Sequence, residues 1–320
     1  GRIQTSSQQY VLAWDDTHGQ LFTAGCSHEI VVWKVSKVKQ KKENNTGVGI
    51  GGMGGKHKIL ATKKTVIAHH SDAIQDLLVV VDPDYELSCL LSASLDKEIH
   101  CYDLSLLRHM RTLVGHKSGI SSLCYDGMGA LYSGGFEYCV YVWDLESGQT
   151  FPHNKLVKGH SDSIVCVSCP VKGLGAGRLC SLDRSGKMCW WDVRRNVALE
   201  NHERCIHQFN PLPQVCTTLC VVHGVENSFQ YSTNGMTIMA ASKKLVVFDS
   251  VDVRPTELPP AACIYNPVGH NILTVHDRDV KVWDPDTGRL TREVCGLVPS
   301  EITNVILDAK GRKAIVASQD

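Results

Sequence analysis

The sequence predicts an all-β chain arranged as a seven-bladed β-propeller with an incomplete last blade. Three observations carry that expectation. Aromatic–aspartate pairs recur through the chain, in full at Trp143-Asp144, Trp191-Asp192 and Trp283-Asp284. Softened copies stand at Trp33-Lys34, Tyr102-Asp103 and Phe248-Asp249. A period of roughly 40 to 45 residues marks one small sheet per repeat. Upstream of three pairs a histidine precedes an isoleucine by four positions, at His70/Ile74, His116/Ile120 and His160/Ile164. The whole chain of 320 residues is then accounted for by about seven repeats. A single four-stranded sheet cannot cover both of its faces, so each repeat must stack on its neighbours.

The blades follow in order. Their expected spans are 8–67, 73–114, 119–158, 163–209, 215–258 and 261–298, with a partial one at 301–320. Blade one reads as strands at Tyr10–Trp14, Leu21–Gly25 and Glu29–Val35. Short β-branched or alternating runs between Gly, Asp, Asn and Ser turns place the strands of the other blades in the same way. Residues 36–57 interrupt blade one with Lys37, Lys39, Lys41 and Lys42, followed by a glycine-rich run from Gly47 to Gly55. That segment has too few apolar groups to offset its ordering entropy and reads as a flexible insertion. Its nominal GxGxxG (Gly49, Gly51, Gly54) has no strand–turn–helix context, so no dinucleotide site is expected. Blade seven shows strands at Glu301–Asp308 and Lys313–Ser318 and then stops. The expectation is a fragment of a longer protein, with two outer strands absent or partly replaced by Arg2–Thr5.

Composition narrows the function classes. Thirty-three basic and 33 acidic residues give a formal net charge of zero. Such a balance argues against nucleic acid and against an anionic membrane surface as partners. No apolar run approaches the roughly 20 residues of a membrane span. Fourteen cysteines could suggest disulfides or a metal, yet most fall inside expected strands, where a free cysteine packs as a small hydrophobe. Cys166 and Cys169 form the one CxxC, but residues three apart on a strand face opposite sides. No metal and no cofactor are expected, and reduced thiols suit the cytoplasm.

Within each repeat a polar set recurs. Blade two offers His70, Ser92, Asp96 and Tyr102; blade three His116, Ser133, Glu137 and Trp143; blade four His160, Ser181, Ser185 and Trp191. Blade one has Thr23, Ser27 and Trp33, and in blade six Asp277 precedes Trp283 by the same six positions. Histidine, hydroxyl, carboxylate and indole can pass hydrogen bonds along a chain that ties a blade together. A Ser-His-acid set also resembles a hydrolase triad. A nucleophile is needed once, however, whereas a staple is needed in every blade. No catalytic residue is assigned.

Loops joining blades (d to a) and the b–c turns emerge on one rim around the central channel. They carry His28, Lys97, Phe136, Tyr138, Arg184 and Arg278 from b–c turns, and Lys117, Asp162 and Glu301 from the connecting loops. Exposed aromatics beside arginine are the types that anchor interfaces. Phe136, Tyr138 and Arg184 are therefore the expected hot spot for another protein or a peptide, unless Phe136 folds back on its own blade.

With these motifs placed, the chain resembles the WD-repeat superfamily over nearly its full length. A narrower likeness rests on Ala24-Gly25, on Gly134-Gly135-Phe136-Glu137 running to Trp143-Asp144, and on Lys243 through Asp249. Ile264-Tyr265-Asn266-Pro267 and Pro299-Ser300-Glu301-Ile302-Thr303 add to it. Together they are similar to WD-repeat proteins of cilia and flagella that often carry EF-hands. The resemblance implies a docking part of an axonemal or cytoskeletal assembly, with a second propeller in the full-length protein. No EF-hand lies in this sequence, so calcium sensing is not carried over. Trp191-Asp192-Val193-Arg194 resembles the motif by which some WD-repeat substrate receptors dock on cullin ubiquitin ligases, which leaves such a receptor, or a peptide reader, as the alternative.

Overall fold

A computed structural model describes residues 7–39, 57–169, 178–193, 205–209, 216–222, 236–241, 244–248, 253–255, 261–266, 268–284, 289–308 and 310–319. Nearly all of its regular structure is strand, and neighbouring strands within each sheet pair antiparallel. Sheet one is β1 (Gln9–Asp15), β2 (Gln20–Gly25), β3 (Ile30–Lys39) and β4 (His57–Ile67). Sheet two is β5 (Ile74–Asp82), β6 (Leu87–Ser94), β7 (Glu98–Asp103) and β8 (His109–Val114), with one 3-10 turn at Pro83–Tyr85. Sheet three is β9 (Ile120–Tyr125), β10 (Ala130–Gly135), β11 (Val140–Asp144) and β12 (Asn154–Leu156). Sheet four is β13 (Ile164–Ser168), β14 (Arg178–Asp183), β15 (Met188–Asp192) and β16 (Cys205–Phe209). Sheet five is β17 (Cys216–Val222), β18 (Met236–Ala241), β19 (Lys244–Phe248) and β20 (Val253–Pro255). Sheet six is β21 (Ala262–Asn266), β22 (Asn271–His276), β23 (Asp279–Trp283) and β24 (Leu290–Val294). A two-stranded pair, β25 (Ile302–Leu307) and β26 (Ala314–Ser318), follows.

Strand order within every sheet is sequential. The first strand of each sheet contacts the first strand of the next, and β25 contacts β1 in turn, so these strands form a ring. Six sheets have four strands and the last has two; sheet five and strand β16 are described by strand order and register alone. The architecture is an all-β propeller, though fewer complete blades stand in the described residues than the seven expected.

The core sits between sheets, which is where a two-faced sheet must put it. Strand β1 shows the rule: Val11 and Ala13 pack with Phe22, Ile74, Leu77 and Leu90 toward sheet two. Leu12, on the opposite face, packs with Leu21, Trp33 and Ala317 toward the last pair. That is the period-two alternation of a strand buried on both sides. Polar side chains also lace neighbouring first strands. Asp76 Oδ2 accepts from Leu123 N–H at 2.7 Å, Ser122 Oγ accepts from Val167 N–H at 3.2 Å, and Asn304 Nδ2 donates to the Tyr10 carbonyl at 3.0 Å. A register shift near the start of the first–second strand pairing recurs in every sheet but the sixth. Such bulges bend a strand and increase its twist locally.

One expectation changes at an edge. Ser36–Lys39 and His57, assigned to a flexible insertion, are strand: Val35 pairs with Ala61, Val38 with Lys58 and Lys39 with His57. The lysine-rich reading missed that Val35, Val38 and Ile59 supply a β-capable stretch to a long hairpin. Residues 40–56, and the proposed replacement strand at Arg2–Thr5, lie outside the described residues.

Candidate interaction rim and blade staples

Blade three shows the recurring polar set at full length. Trp143 Nε1–H donates to Ser133 Oγ at 2.8 Å. An indole can only donate, so the Ser133 hydroxyl passes its own proton to His116 Nε2, 2.7 Å away. His116 is thereby left with Nδ1–H, which faces Glu137 Oε1 at 3.2 Å. The same oxygen accepts the backbone N–H of Lys117 at 2.6 Å, and Glu137 Oε2 accepts the Tyr141 hydroxyl at 2.6 Å. Burial alone would raise the Glu137 pKa, but hydrogen bonds from His116, Tyr141 and Lys117 outweigh it and hold the carboxyl at about 2. One carboxylate ties the loop between blades to the b–c turn.

Blade four repeats the chain with one member moved. Trp191 Nε1–H donates to Ser181 Oγ at 2.7 Å, and Ser181 meets His160 Nε2 at 2.5 Å. The acid is Asp183, with Oδ2 3.0 Å from His160 Nδ1, and not the position of Ser185. Ser185 instead donates its hydroxyl to Asp183 at 2.6 Å. Strand-end Asp183 reaches inward two residues earlier, a substitution that fixed offsets could not reveal. In blade six Asp277 is also displaced: it is exposed and lies 3.5 Å from Arg278. Trp283 donates to Thr274 Oγ1 at 2.7 Å, and Thr274 meets His276 Nε2 at 2.7 Å. His276 occupies the place relative to Thr274 that Asp183 holds relative to Ser181. Blade one keeps only Trp33 Nε1–H on Thr23 Oγ1 at 3.0 Å, while Ser27 Oγ stands 3.4 Å from Ser7 Oγ. In blade two, His70 bridges Asp96 and Ser92, at 2.7 Å each. Tyr102 fills the indole position, and its buried hydroxyl approaches Ser92 without reaching hydrogen-bond geometry.

These are triad-like distances, so the hydrolase reading needs a physical answer. Ser92, Ser133 and Ser181 are fully buried. In blades three and four the serine oxygen also carries an indole N–H. No substrate carbonyl can reach such an oxygen, and a nucleophile must be reachable.

The rim is built where b–c turns bond to inter-blade loops. Leu95 N–H donates to Ala73 O, Phe136 N–H to Gly119 O, and Arg184 N–H to Ser163 O. His28, Lys97, Lys117, Phe136, Tyr138, Arg184, Arg278 and Glu301 are exposed there, and Asp162 is half-buried. Phe136 and Tyr138, 50% and 58% exposed, line an open groove of about 430 Å3 with Glu137, Cys139, Val157, Lys158 and His160. Arg184 does not line it. Phe136 also leans on its surroundings: a Cβ at Gly119 would lie 3.1 Å from its ring. Half of the ring is thus packed and half presented. At the opposite ends of the first strands, a second groove of about 550 Å3 is lined by Trp14, Asp16, Thr17, Val79, Val81 and Leu307. Arg194, the residue of interest for adaptor docking, lies outside the described residues.

The family model described as "WD domain, G-beta repeat" matches residues 107–144. That match starts before β8 and ends with β11, so one sequence repeat straddles two sheets and couples them. Among curated proteins, the chain is 23% identical over 319 residues to cilia- and flagella-associated protein 337 B of Tetrahymena thermophila, covering 96% of this chain and 22% of that protein. It is 23% identical over 277 residues to the periodic tryptophan protein 2 homolog of Caenorhabditis elegans, covering 79% of this chain and 28% of that one. A shorter match, 25% over 91 residues, links it to mitochondrial division protein 1 of Aspergillus oryzae, covering 28% of this chain and 14% of that protein. The chain spans 22% and 28% of the length of the first two relatives named here.

Proposed function

We propose that this chain, an all-β WD-repeat β-propeller, is a non-catalytic scaffold that holds another protein on its rim. The ring is read as seven-bladed, its last blade contributing two strands here. One observation carries the reading: recurring polar groups are consumed inside the blades, whereas the groove at Phe136 and Tyr138 leaves large aromatic surface to water. Aromatic side chains in a partly formed groove are the type that contribute most to protein interfaces. The occupant that fits is a short segment of a partner protein with an apolar anchor. Balanced charge favours neither nucleic acid nor an anionic membrane. No helix among the described residues is long and apolar enough to cross a membrane. A place in a ciliary, flagellar or cytoskeletal assembly is supported by the name of the Tetrahymena relative, whose similarity runs over 96% of this chain.

The test is proximity labelling of the full-length protein in a ciliated cell, comparing wild type with Phe136→Ala/Tyr138→Ala. The double variant is expected to fold and to lose a defined subset of labelled axonemal proteins. An unchanged set would remove the groove from the account, and a set without ciliary or cytoskeletal proteins would remove the assembly.

A further inference from the structure

The outer strands of the four-stranded sheets differ in length. β8, β12, β16, β20 and β24 hold three to six residues each, whereas β4 holds 11. Strand β3 follows β4 past the end of the blade. Its pairing with β2 stops at Lys34, where Val35 N–H donates to the Gly19 carbonyl at 3.1 Å. From Ser36 opposite Leu60 to Lys39 opposite His57, only two strands remain. Among the described residues this ribbon is unpaired along both edges. It leaves the blade beside the turn of residues 16–19, on the face opposite the rim.

Charge marks the same hairpin. Residues 34–39 and 57–64 hold six lysines (Lys34, Lys37, Lys39, Lys58, Lys63 and Lys64) and no acidic residue. Every other outer strand carries at most one lysine or arginine. Lys34, Lys63 and Lys64 are exposed, and none of the three meets a carboxylate among the described residues. Lys34 donates to the His18 carbonyl and Lys64 to Gln20 Oε1 at 3.0 Å, both neutral acceptors. Asp15 and Asp16, in the adjoining turn, accept from Thr17, His18 and the Trp14 indole. Exposed edges are ordinarily kept short or blunted by a charge. A long edge with six like charges goes well past that need, and its self-repulsion is relieved by an anionic partner.

Two features favour a polypeptide over nucleic acid or lipid. Residues 34–39 and 57–64 include no arginine, phenylalanine, tyrosine or tryptophan, so no base can stack there and no aromatic can anchor in a bilayer interface. The open edge of β4 presents backbone donors and acceptors, which an extended peptide matches and a row of phosphates does not.

We propose that the β3–β4 hairpin captures an acidic segment of a partner protein, which adds along the edge of β4 as a further strand. The positions of Lys37, Lys39 and Lys63 lie on one face of the hairpin and those of Lys34 and Lys58 on the other. Side chains of an added strand alternate in the same way, so its aspartates or glutamates must be consecutive to meet both rows. This surface belongs to blade one and does not depend on the groove at Phe136.

The experiment measures binding of a fluorescent oligoglutamate peptide to the full chain by anisotropy, with amide hydrogen exchange reporting on β4. Wild type is expected to bind, to lose affinity as salt rises, and to show slowed exchange in β4 but not in the other outer strands. Lys37→Glu/Lys58→Glu/Lys63→Glu is expected to fold and to bind at least about tenfold more weakly. Arginine at the same three positions, or Phe136→Ala/Tyr138→Ala, is expected to leave binding unchanged. The exchange pattern of wild type carries the test if the glutamate variant does not fold. The proposal is overturned if oligoglutamate does not bind at micromolar concentrations, or binds without slowing exchange in β4. Tighter binding of single-stranded DNA or of phosphatidylserine vesicles at the same salt would overturn it too, because the hairpin would then be a site for phosphates.

Discussion

Blades two and three place a serine, an acid and an aromatic at the same offsets, yet one polar chain is closed and the other is not. In blade three every member has a partner, from the Trp143 indole through Ser133 and His116 to Glu137 and Tyr141. In blade two the Tyr102 hydroxyl falls short of hydrogen-bond geometry with Ser92, and His100 Nε2 meets only Glu98 Oε2, at 3.3 Å. The two blades pack equally well, since Trp143 and Tyr102 are both fully buried. The difference shows that blade two keeps the histidine–acid link without a closed aromatic end, whereas blade one keeps the aromatic end without that link.

The harshest way to break the comparison is acid, because it attacks the link that all complete staples share. Asp96, Glu137 and Asp183 are each held at about 2: burial would raise them, and histidine, hydroxyl and backbone donors pull them further down. Depressed carboxyl pKa values contribute stability that is fully present above the ordinary range near 4 and lost as pH falls toward 2. Urea midpoints measured between about pH 5 and pH 2 should therefore drop steeply within that window. A Glu137→Gln chain should start lower and fall less, and a parallel fall would count against the linkage.

Removing the Tyr141 hydroxyl is a smaller lesion. Tyr141→Phe deprives the Glu137 carboxylate of a charge-assisted bond at 2.6 Å and should cost about 1.5–3 kcal/mol by denaturant unfolding. The smallest effect sharpens the contrast by its size. Tyr102→Phe deletes a buried hydroxyl whose one approach, to Ser92, falls short of hydrogen-bond geometry, so the loss should stay below about 1 kcal/mol. Destabilisation by Tyr102→Phe to the extent of Tyr141→Phe would mean that the two aromatic ends are equivalent after all.

Much of the fold was legible because a repeat reports itself several times over. Trp143-Asp144 and Trp191-Asp192 end the third strands β11 and β15, and Ile74, Ile120 and Ile164 each open a first strand. What fixed offsets missed was local. Asp183 replaces the acid expected near Ser185 because a carboxylate at the end of the second strand reaches the same histidine from a different starting point. Asp277 sits at the expected offset from Trp283 but adopts φ +51° in an exposed turn and points away from the staple. The long hairpin β3–β4 was hidden by lysines, because alternation with solvent-facing charge hardly differs from a polar loop over so few residues. On the rim, sequence could nominate Phe136, Tyr138 and Arg184 but could not tell that only the first two share a groove. Pairing of Ser92 with His100 was beyond an offset rule as well, since it depends on register across two strands.

The central claim is that serine, histidine and acid lock blades two, three and four and that the aromatic donor raises the stake where it is present. Paired unfolding of Ser133→Ala and Ser92→Ala tests it most directly. Ser133→Ala orphans both the Trp143 indole and His116 Nε2, whereas Ser92→Ala orphans His70 Nε2 alone. At about 1–3 kcal/mol for each buried group left unsatisfied, the first should cost roughly twice the second. Equal losses, or a negligible loss in Ser133→Ala, would contradict the account.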